Sequence, residues 1–174
     1  MSTVASSTRI LVTGAGGFIA LHTVLRLLQR GHLVRGTVRT EAHANQVREI
    51  LSKHTDPNKL EVVCVDLLKD AGWADAVRGC DTVLHLASPF PAEEPKHEDD
   101  LIRPAREGTL RVLRAAHAEG VKRVVLVSSV AAVPGGHSGE NWIFTEADWT
   151  NVEKSGAYPK SKTLAERAAW DFIR

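Results

Sequence analysis

The chain has 174 residues, of which 43% are hydrophobic, and this predicts one compact domain, either alone or as part of a larger protein. Its 22 lysines and arginines nearly balance 21 aspartates and glutamates, so the net charge of +1 gives no support to a nucleic-acid partner. No segment approaches transmembrane length, which predicts a cytoplasmic protein without a membrane partner. Cys64 and Cys80 lie in or beside apolar runs and are expected to be buried and reduced, and the histidines lack metal-ligand spacing.

Short apolar runs alternate with helical patterns along most of the chain. Strands are predicted at Ile10–Thr13, Leu33–Val38, Leu60–Val65, Thr82–Leu86 and Arg123–Ser128. Helices are predicted at Phe18–Arg30, Ala42–His54 and Trp73–Val77, in a longer segment ending near Ala118, and from Ala157 onward. This alternation predicts an α/β fold, a Rossmann-type doubly wound parallel sheet with helices on both faces, in which ligands bind at the carboxyl ends of the strands.

Two segments do not follow a single pattern. Pro104 lies within the fourth helical pattern, either near a helix start or at a kink in a longer helix. Residues 130–156 are irregular, and the stretch PGGHSGENW within them carries three glycines. A connection of this length is either functional or surface decoration.

A glycine-rich turn joins the first strand to the first helix. Gly14, Gly17 and Ala20 fit the pattern Gly-x-x-Gly-x-x-Ala. Gly14 suits a tight turn, Gly17 lets the backbone approach a pyrophosphate, and Ala20 lets the helix meet the strand. Backbone N–H groups at the start of such a helix favour a phosphate, so the turn predicts a dinucleotide site. The alternative is a glycine turn that binds nothing.

The second and third strands end in residues that suit the adenosine half of a dinucleotide. Arg39 stands where an NAD site commonly has an acidic residue, and a guanidinium can clamp a 2′-phosphate or stack on adenine, which favours NADP. Asp66 could accept the adenine amino group while Leu67 packs against the ring. The alternatives are a solvated surface arginine and an aspartate that caps a helix.

Tyr158 and Lys162 lie four residues apart on the last predicted helix and share a face. An ammonium group beside a phenol favours the phenolate, which makes a tyrosine a usable general acid near neutral pH. Tyr158 is the only tyrosine in the chain. A tyrosine and a lysine at this spacing can also occur by coincidence. The functional interpretation therefore depends on the position of their helix after the fifth strand.

Ser128 and Ser129 end the fifth strand, where a substrate carbonyl would lie. A serine hydroxyl there can donate a hydrogen bond to the carbonyl oxygen as negative charge develops on it. Ordinary turn chemistry is the alternative explanation for two serines at a strand end.

Several motifs together resemble those of one enzyme family. TGAGGFIA, HLASP, VSSVAA and YPKSKTLAERAAW are similar to the motifs of extended short-chain dehydrogenases/reductases. The branch that they resemble contains dihydroflavonol 4-reductases, cinnamoyl-CoA reductases and yeast-type aldehyde reductases, and PAREGTLRVLRAA and TEADW resemble it too. The match covers nearly the whole chain.

The resemblance implies a role for each site residue. Ser129 would bind the carbonyl, Tyr158 would donate the proton, and Lys162 would assist Tyr158 while holding the nicotinamide ribose. The expected cofactor-binding set is Gly14, Gly17, Phe18, Ile19, Arg39, Asp66, Leu67, Ala87, Ser88, Tyr158 and Lys162. No metal is expected.

These features predict an NADPH-dependent reductase that transfers hydride to the carbonyl of an aldehyde or ketone, with NAD(H) as the weaker cofactor. The alternatives are a nucleotide-sugar epimerase or hydroxysteroid dehydrogenase of the same fold, and a dinucleotide-sensing regulator without catalysis. A sensor has no need of Ser129, Tyr158 and Lys162 together.

Two departures from the family stand out. Val130 replaces a residue that is often smaller, which is a mild change. Family members also continue through a further strand and a carboxyl-terminal substrate lobe, so residues 1–174 are expected to form the NAD(P)-binding domain alone. Without the lobe we expect these residues to be inactive on a small carbonyl substrate and to self-associate through an exposed fifth strand.

Overall fold

One sheet contains five strands: β1 (Arg9–Val12), β2 (Leu33–Val38), β3 (Leu60–Cys64), β4 (Thr82–His85) and β5 (Arg123–Leu126). This computed structural model describes residues 8–90, 95–137 and 143–174. The strand order is β3-β2-β1-β4-β5. β1 pairs in parallel with β2 and β4, and β2 pairs in parallel with β3. The order reverses direction at β1, as in a Rossmann fold, and the predicted fold class is confirmed.

In the described part of the chain, five α-helices accompany the strands: α1 (Phe18–Gln29), α2 (Glu41–Ser52), α3 (Trp73–Val77), α4 (Asp99–Ala118) and α5 (Ala157–Ile173). Short 3-10 turns lie at Pro57–Lys59, Val130–Ala132 and Val152–Lys154. Within the described ranges, no helix combines the length and the apolar composition that a bilayer crossing requires.

Pro104 is the sixth residue of α4. A proline has no N–H group for the carbonyl four residues earlier, which here belongs to Asp100 in the first turn. Asp100 is exposed to solvent, where water can replace the missing donor. The helix begins five residues before its proline, so the alternative with Pro104 near the helix start is the one observed.

The core forms where helices α1 and α2 cover β1 and β2. The largest contribution from α1 comes from Ala20, Val24 and Leu28, which are at most 5% exposed. Leu21 and Leu25 are partly buried and pack against this core. Leu21, Val24, Leu25 and Leu28 recur at helical spacing in the sequence, and this apolar face of the helix is the one that faces the core.

The chain divides into two compact units. The first comprises Met1–Ala87 and Arg114–Val125, and the second comprises Ser88–Leu113 and Leu126–Arg174. The first contains the glycine turn, Arg39 and Asp66. The second contains Ser129, Tyr158 and Lys162.

Arg35 of β2 is buried at 8% exposure and fixes the carboxyl end of α3. Its Nη1 donates to the carbonyls of Ala76 and Arg78 at 2.8 and 2.9 Å, and its Nε pairs with Glu61 at 2.7 Å. The last carbonyls of a helix lack intrahelical donors and carry partial negative charge, so a cation there satisfies both needs.

Cys64 corrects the expectation that both cysteines are buried. Cys80 is buried, and burial raises the pKa of its thiol. Cys64 is exposed, and its Sγ donates to Glu41 Oε2 at 3.4 Å. The difference arises because β3 is an edge strand, so its last residue lacks the cover that a central strand receives.

β5 lies at the other edge of the sheet. Its burial alternates between exposed and intermediate residues, and Val125 is 45% exposed. This exposure agrees with the expected apolar edge. Self-association itself stays a prediction.

Two threonine hydroxyls tie the ends of the central strands together. Thr13, fully buried after β1, accepts hydrogen bonds from the N–H groups of Leu86 and Ala87 at 3.1 and 2.9 Å. Because the hydroxyl oxygen already accepts from two N–H groups, the hydroxyl donates its own proton in a hydrogen bond to His85 Nδ1 at 2.8 Å. Thr13 still donates its own N–H to the Leu84 carbonyl at 3.0 Å, while its hydroxyl, rather than a backbone carbonyl, accepts from the chain that follows β4.

Thr37 makes the matching connection at the end of β2. Its Oγ1 accepts from the N–H of Gly14 at 3.2 Å, and its carbonyl accepts from Ala15 at 2.8 Å. The turn after β1 is therefore held from both neighbouring strands.

We expect Thr13→Val to lower the free energy of unfolding by about 2–4 kcal/mol, because two partly buried N–H groups lose their acceptor. The matched control is Thr23→Val, whose hydroxyl only donates back to the Ile19 carbonyl within α1. Urea unfolding of both variants measures the difference. Equal losses would contradict the role given to Thr13.

Candidate cofactor and catalytic residues

Gly14 occupies a position that only glycine fits. Its φ is +70°, in the left-handed region, and a Cβ there would lie 3.0 Å from Ala87 Cβ. Gly17 donates its N–H to the Gly14 carbonyl at 2.9 Å and precedes α1 as its N-cap. A Cβ on Gly17 would lie 3.3 Å from that carbonyl oxygen. Side chains at either position would press against neighbouring protein atoms, so the tight turn before α1 depends on both glycines.

The start of α1 offers unpaired N–H groups. The first bond of the helix runs from Leu21 N–H to the Gly17 carbonyl. The preceding N–H groups, those of Phe18, Ile19 and Ala20, have no acceptor in the part of the chain that the structure describes. The side chains of Phe18 and Ile19 are 81% and 64% exposed, whereas Ala20 is buried. The turn therefore has the donors that a pyrophosphate requires.

Arg39 follows β2 and is exposed. It makes no hydrogen bond or ion pair with residues 8–90, 95–137 or 143–174. Thr40 then caps α2 by accepting from the N–H of His43 at 3.3 Å. A cation without a carboxylate partner is free to bind an anion.

Asp66 serves the local turn after β3. One carboxylate oxygen accepts from Leu68 N–H at 3.0 Å, and its carbonyl accepts from Trp73 Nε1 at 2.9 Å. Its second carboxylate oxygen has no hydrogen-bond partner among the described residues. The helix cap that the sequence offered as an alternative is not observed, because the N-cap of α3 is Gly72. Asp66 instead binds its local turn, and one oxygen stays available for an adenine amino group. Leu67 beside it is half-buried.

Ala87 and Ser88 fall in different units. Ala87 is bound to Thr13 and packs against Gly14, so its position in the first unit is fixed. Ser88 begins the second unit and is half-buried.

Tyr158 and Lys162 lie together on α5, one turn apart. Lys162 Nζ is 5.8 Å from the centre of the Tyr158 ring, and Phe90 meets the same ring edge-on at 5.3 Å between centroids. Burial lowers the pKa of Lys162. Lys160, two residues earlier, pairs with Glu98 at 2.6 Å and holds the first turn of the helix.

Ser128 and Ser129 have different partners. Ser129 Oγ accepts from Ala131 N–H at 3.1 Å and so caps the 3-10 turn at Val130–Ala132. Ser128 Oγ donates to the carboxylate of Glu166 on α5. Ser129 and Tyr158 are not hydrogen bonded to each other. The turn chemistry that the sequence offered as an alternative is thus observed at Ser129.

Thr150 anchors the irregular stretch of the second unit, and sequence reasoning missed it. This threonine is 1% exposed. Its Oγ1 donates to the Ala131 carbonyl at 2.7 Å and accepts from Gly135 N–H at 2.9 Å, and its N–H donates to the Ala132 carbonyl at 2.8 Å. The turn after Ser129 is therefore bound to the segment that leads into α5. A lone threonine in an irregular segment carries no sequence signal for this role.

Comparison with known proteins identifies the family to which the chain belongs. Residues 10–174 match the NAD dependent epimerase/dehydratase family. Dihydroflavonol 4-reductase of Arabidopsis thaliana is 37% identical over 171 residues, which cover 94% of this chain and 44% of the relative. Cinnamoyl-CoA reductase of Medicago truncatula is 38% identical over 174 residues, which cover 95% and 53%.

A solved structure extends the comparison to three dimensions. Yeast methylglyoxal/isovaleraldehyde reductase complexed with NADPH has a TM-score of 0.84 and 32% sequence identity, over 95% of this chain and 53% of that one. The chain thus spans about half the length of the curated relatives that it matches. The family resemblance drawn from the motifs is confirmed.

We expect Lys162→Met to stabilise the protein near neutral pH, because burial disfavours the charged amine and no described carboxylate compensates it. Burial lowers the folded-state pKa below the unfolded one, so the penalty is greatest at the low-pH end of the range, where the amine is charged in both states. As pH rises towards the ordinary lysine value, the folded state loses its proton first and the advantage of the variant shrinks. Thermal unfolding between pH 7 and 10.5 measures this trend.

Lys160→Met is the matched control, since Lys160 lies on the same helix but has a carboxylate partner. It should not stabilise the protein. A stabilised Lys160→Met variant, or a Lys162→Met advantage that grows with pH, would contradict the burial argument.

Proposed function

The chain belongs to the NAD dependent epimerase/dehydratase family, and from this premise we propose that it carries the cofactor and proton-transfer residues of an NADPH-dependent reductase acting on an aldehyde or ketone. The observation that carries the proposal is the Tyr158–Lys162 pair on α5. The likeness to a reductase complexed with NADPH supports it. The relatives named as reductases of dihydroflavonols and cinnamoyl-CoA support a carbonyl substrate.

The residues of the first unit fit the cofactor. The left-handed backbone of Gly14 forms the tight turn before α1, and the N–H groups of Phe18 and Ile19 offer donors for a pyrophosphate. Arg39 would clamp the 2′-phosphate, and Asp66 with Leu67 would hold the adenine. When bound, NADPH supplies the hydride that reduces the carbonyl carbon.

The residues of the second unit would handle the proton. The Tyr158 hydroxyl gives its proton to the carbonyl oxygen, which becomes the alcohol. Ser129 donates a hydrogen bond to the same oxygen as charge develops on it. The ammonium group of Lys162 stabilises the phenolate left on Tyr158 and holds the nicotinamide ribose.

We expect Arg39→Ala in the full-length protein to weaken NADPH binding by about 1.5–3 kcal/mol and NADH binding much less, since only NADPH carries the 2′-phosphate. Titration calorimetry with each cofactor measures both affinities. Arg30→Ala is a control, because this exposed arginine also lies in the first unit but ends α1. Equal losses for the two cofactors would refute a 2′-phosphate role and favour an NAD-using epimerase.

We expect Tyr158→Phe in the full-length protein to reduce carbonyl turnover by roughly 10²–10⁴-fold, because only the phenolic proton is removed. Cofactor affinity should stay nearly unchanged, and binding without turnover separates a chemical defect from a folding defect. NADPH oxidation with a panel of aldehydes and ketones is the measurement. Substantial residual turnover would point to Ser129 or water as the proton source.

A further inference from the structure

Glu166 lies one helical turn beyond Lys162 on α5, and both of its carboxylate oxygens are engaged. Oε2 accepts a hydrogen bond from Ser128 Oγ, and Oε1 accepts one from Trp170 Nε1 at 3.3 Å. Residues four apart on a helix are within reach of an ion pair. Lys162 and Glu166 nevertheless form none. The carboxylate that lies one turn from Lys162 on this helix is thus bound to other donors.

We propose that Glu166 is a positioning residue, held by Ser128 and Trp170 so that its carboxylate does not pair with Lys162 and the ammonium group stays available to Tyr158. This inference rests on the proposed function, because it deepens the role given there to Lys162. It assigns Ser128 a task different from that of its neighbour Ser129. In this proposal Glu166 acts only through the lysine.

The contacts of Lys162 and of the other charged residues within the second unit support this proposal. Tyr158 is the one ionisable group that contacts its ammonium among the described residues. The other charged groups nearby are already engaged: Lys160 pairs with Glu98, and Arg167 stacks on the Trp149 ring at 5.0 Å. A released Glu166 would therefore meet no competing cation on its own turn of the helix except Lys162.

The direction of the effect follows from electrostatics. Burial without a carboxylate partner lowers the pKa of Lys162. A carboxylate moving to within about 4–6 Å of an amine favours its charged form, with effects of one to three pH units. A freed Glu166 would thus raise the pKa of Lys162 and draw its ammonium away from Tyr158.

The test measures the titration of Lys162 directly in the full-length protein without cofactor or substrate. Acetylation by limiting acetic anhydride across a pH series, followed by mass spectrometry of the peptide, reports the fraction of unprotonated amine. We expect Ser128→Ala to move the midpoint of Lys162 upward by about one pH unit or more. The double variant Ser128→Ala/Glu166→Gln should return it to the wild-type value, because the neutral amide cannot pair with the amine.

An unchanged midpoint in Ser128→Ala would overturn the proposal, and so would an increase that persists in the double variant. Lys160 in the same samples is the internal control and should not move. If Ser128→Ala fails to fold, Trp170→Phe releases the other oxygen at a side chain that is 48% exposed. An upward shift there supports the proposal, and no shift overturns it.

This readout is independent of turnover. If the midpoint behaves as expected while the wild-type protein oxidises no NADPH with any carbonyl compound, the proposed function fails and the positioning role stands. If turnover is observed and the midpoint does not move, only the role of Glu166 fails.

Discussion

Two threonine hydroxyls hold the ends of three parallel strands at the spacing that the glycine turn requires. Thr13 binds the chain that leaves β4, and Thr37 binds the turn that leaves β1. Without these bonds, partly buried backbone N–H groups would lose their acceptors at the ends of the strands. The bonds also bring Ala87 against Gly14, which excludes a side chain at that position. The conformation of the glycine turn before α1 therefore depends on how the strand ends are satisfied.

In the second unit, polar side chains hold an irregular stretch of backbone in place without the help of a sheet. Thr150 binds the turn that follows Ser129, and Ser128 binds Glu166 on α5. These contacts fix the irregular stretch, which has no repeating backbone ladder of its own. Regular elements need such anchors only at their ends, whereas an irregular segment needs them along its length.

Lys162 illustrates the conflict between stability and chemistry at such a position. An amine half-buried beside a tyrosine ring is costly to keep charged, and a carboxylate partner would relieve that cost. The protein has a carboxylate one turn away and holds it with other donors. Under the proposed function this charge acts on Tyr158, so it stays without a carboxylate partner at a cost in stability that a purely structural helix would avoid.

The sequence by itself determined the elements whose signals are local. The apolar runs, the helical stripe of α1 and the glycine spacing each depend on neighbours within about ten residues, and the structure confirms the order of strands and helices that they imply. The motifs likewise identified the family. The exposure of Cys64 was decided only by the sheet order, because an edge and a central strand have the same local pattern.

The partners of Thr13, Ser128 and Thr150 also lie beyond the reach of local patterns. Their hydrogen bonds join residues separated by 15 to 74 positions. A threonine or serine reads the same in a sequence whether its hydroxyl faces water or binds a distant backbone. Only the tertiary structure decides between these two states. A hydroxyl holds a distant segment in place when folding removes water from around it and brings that segment within hydrogen-bond distance.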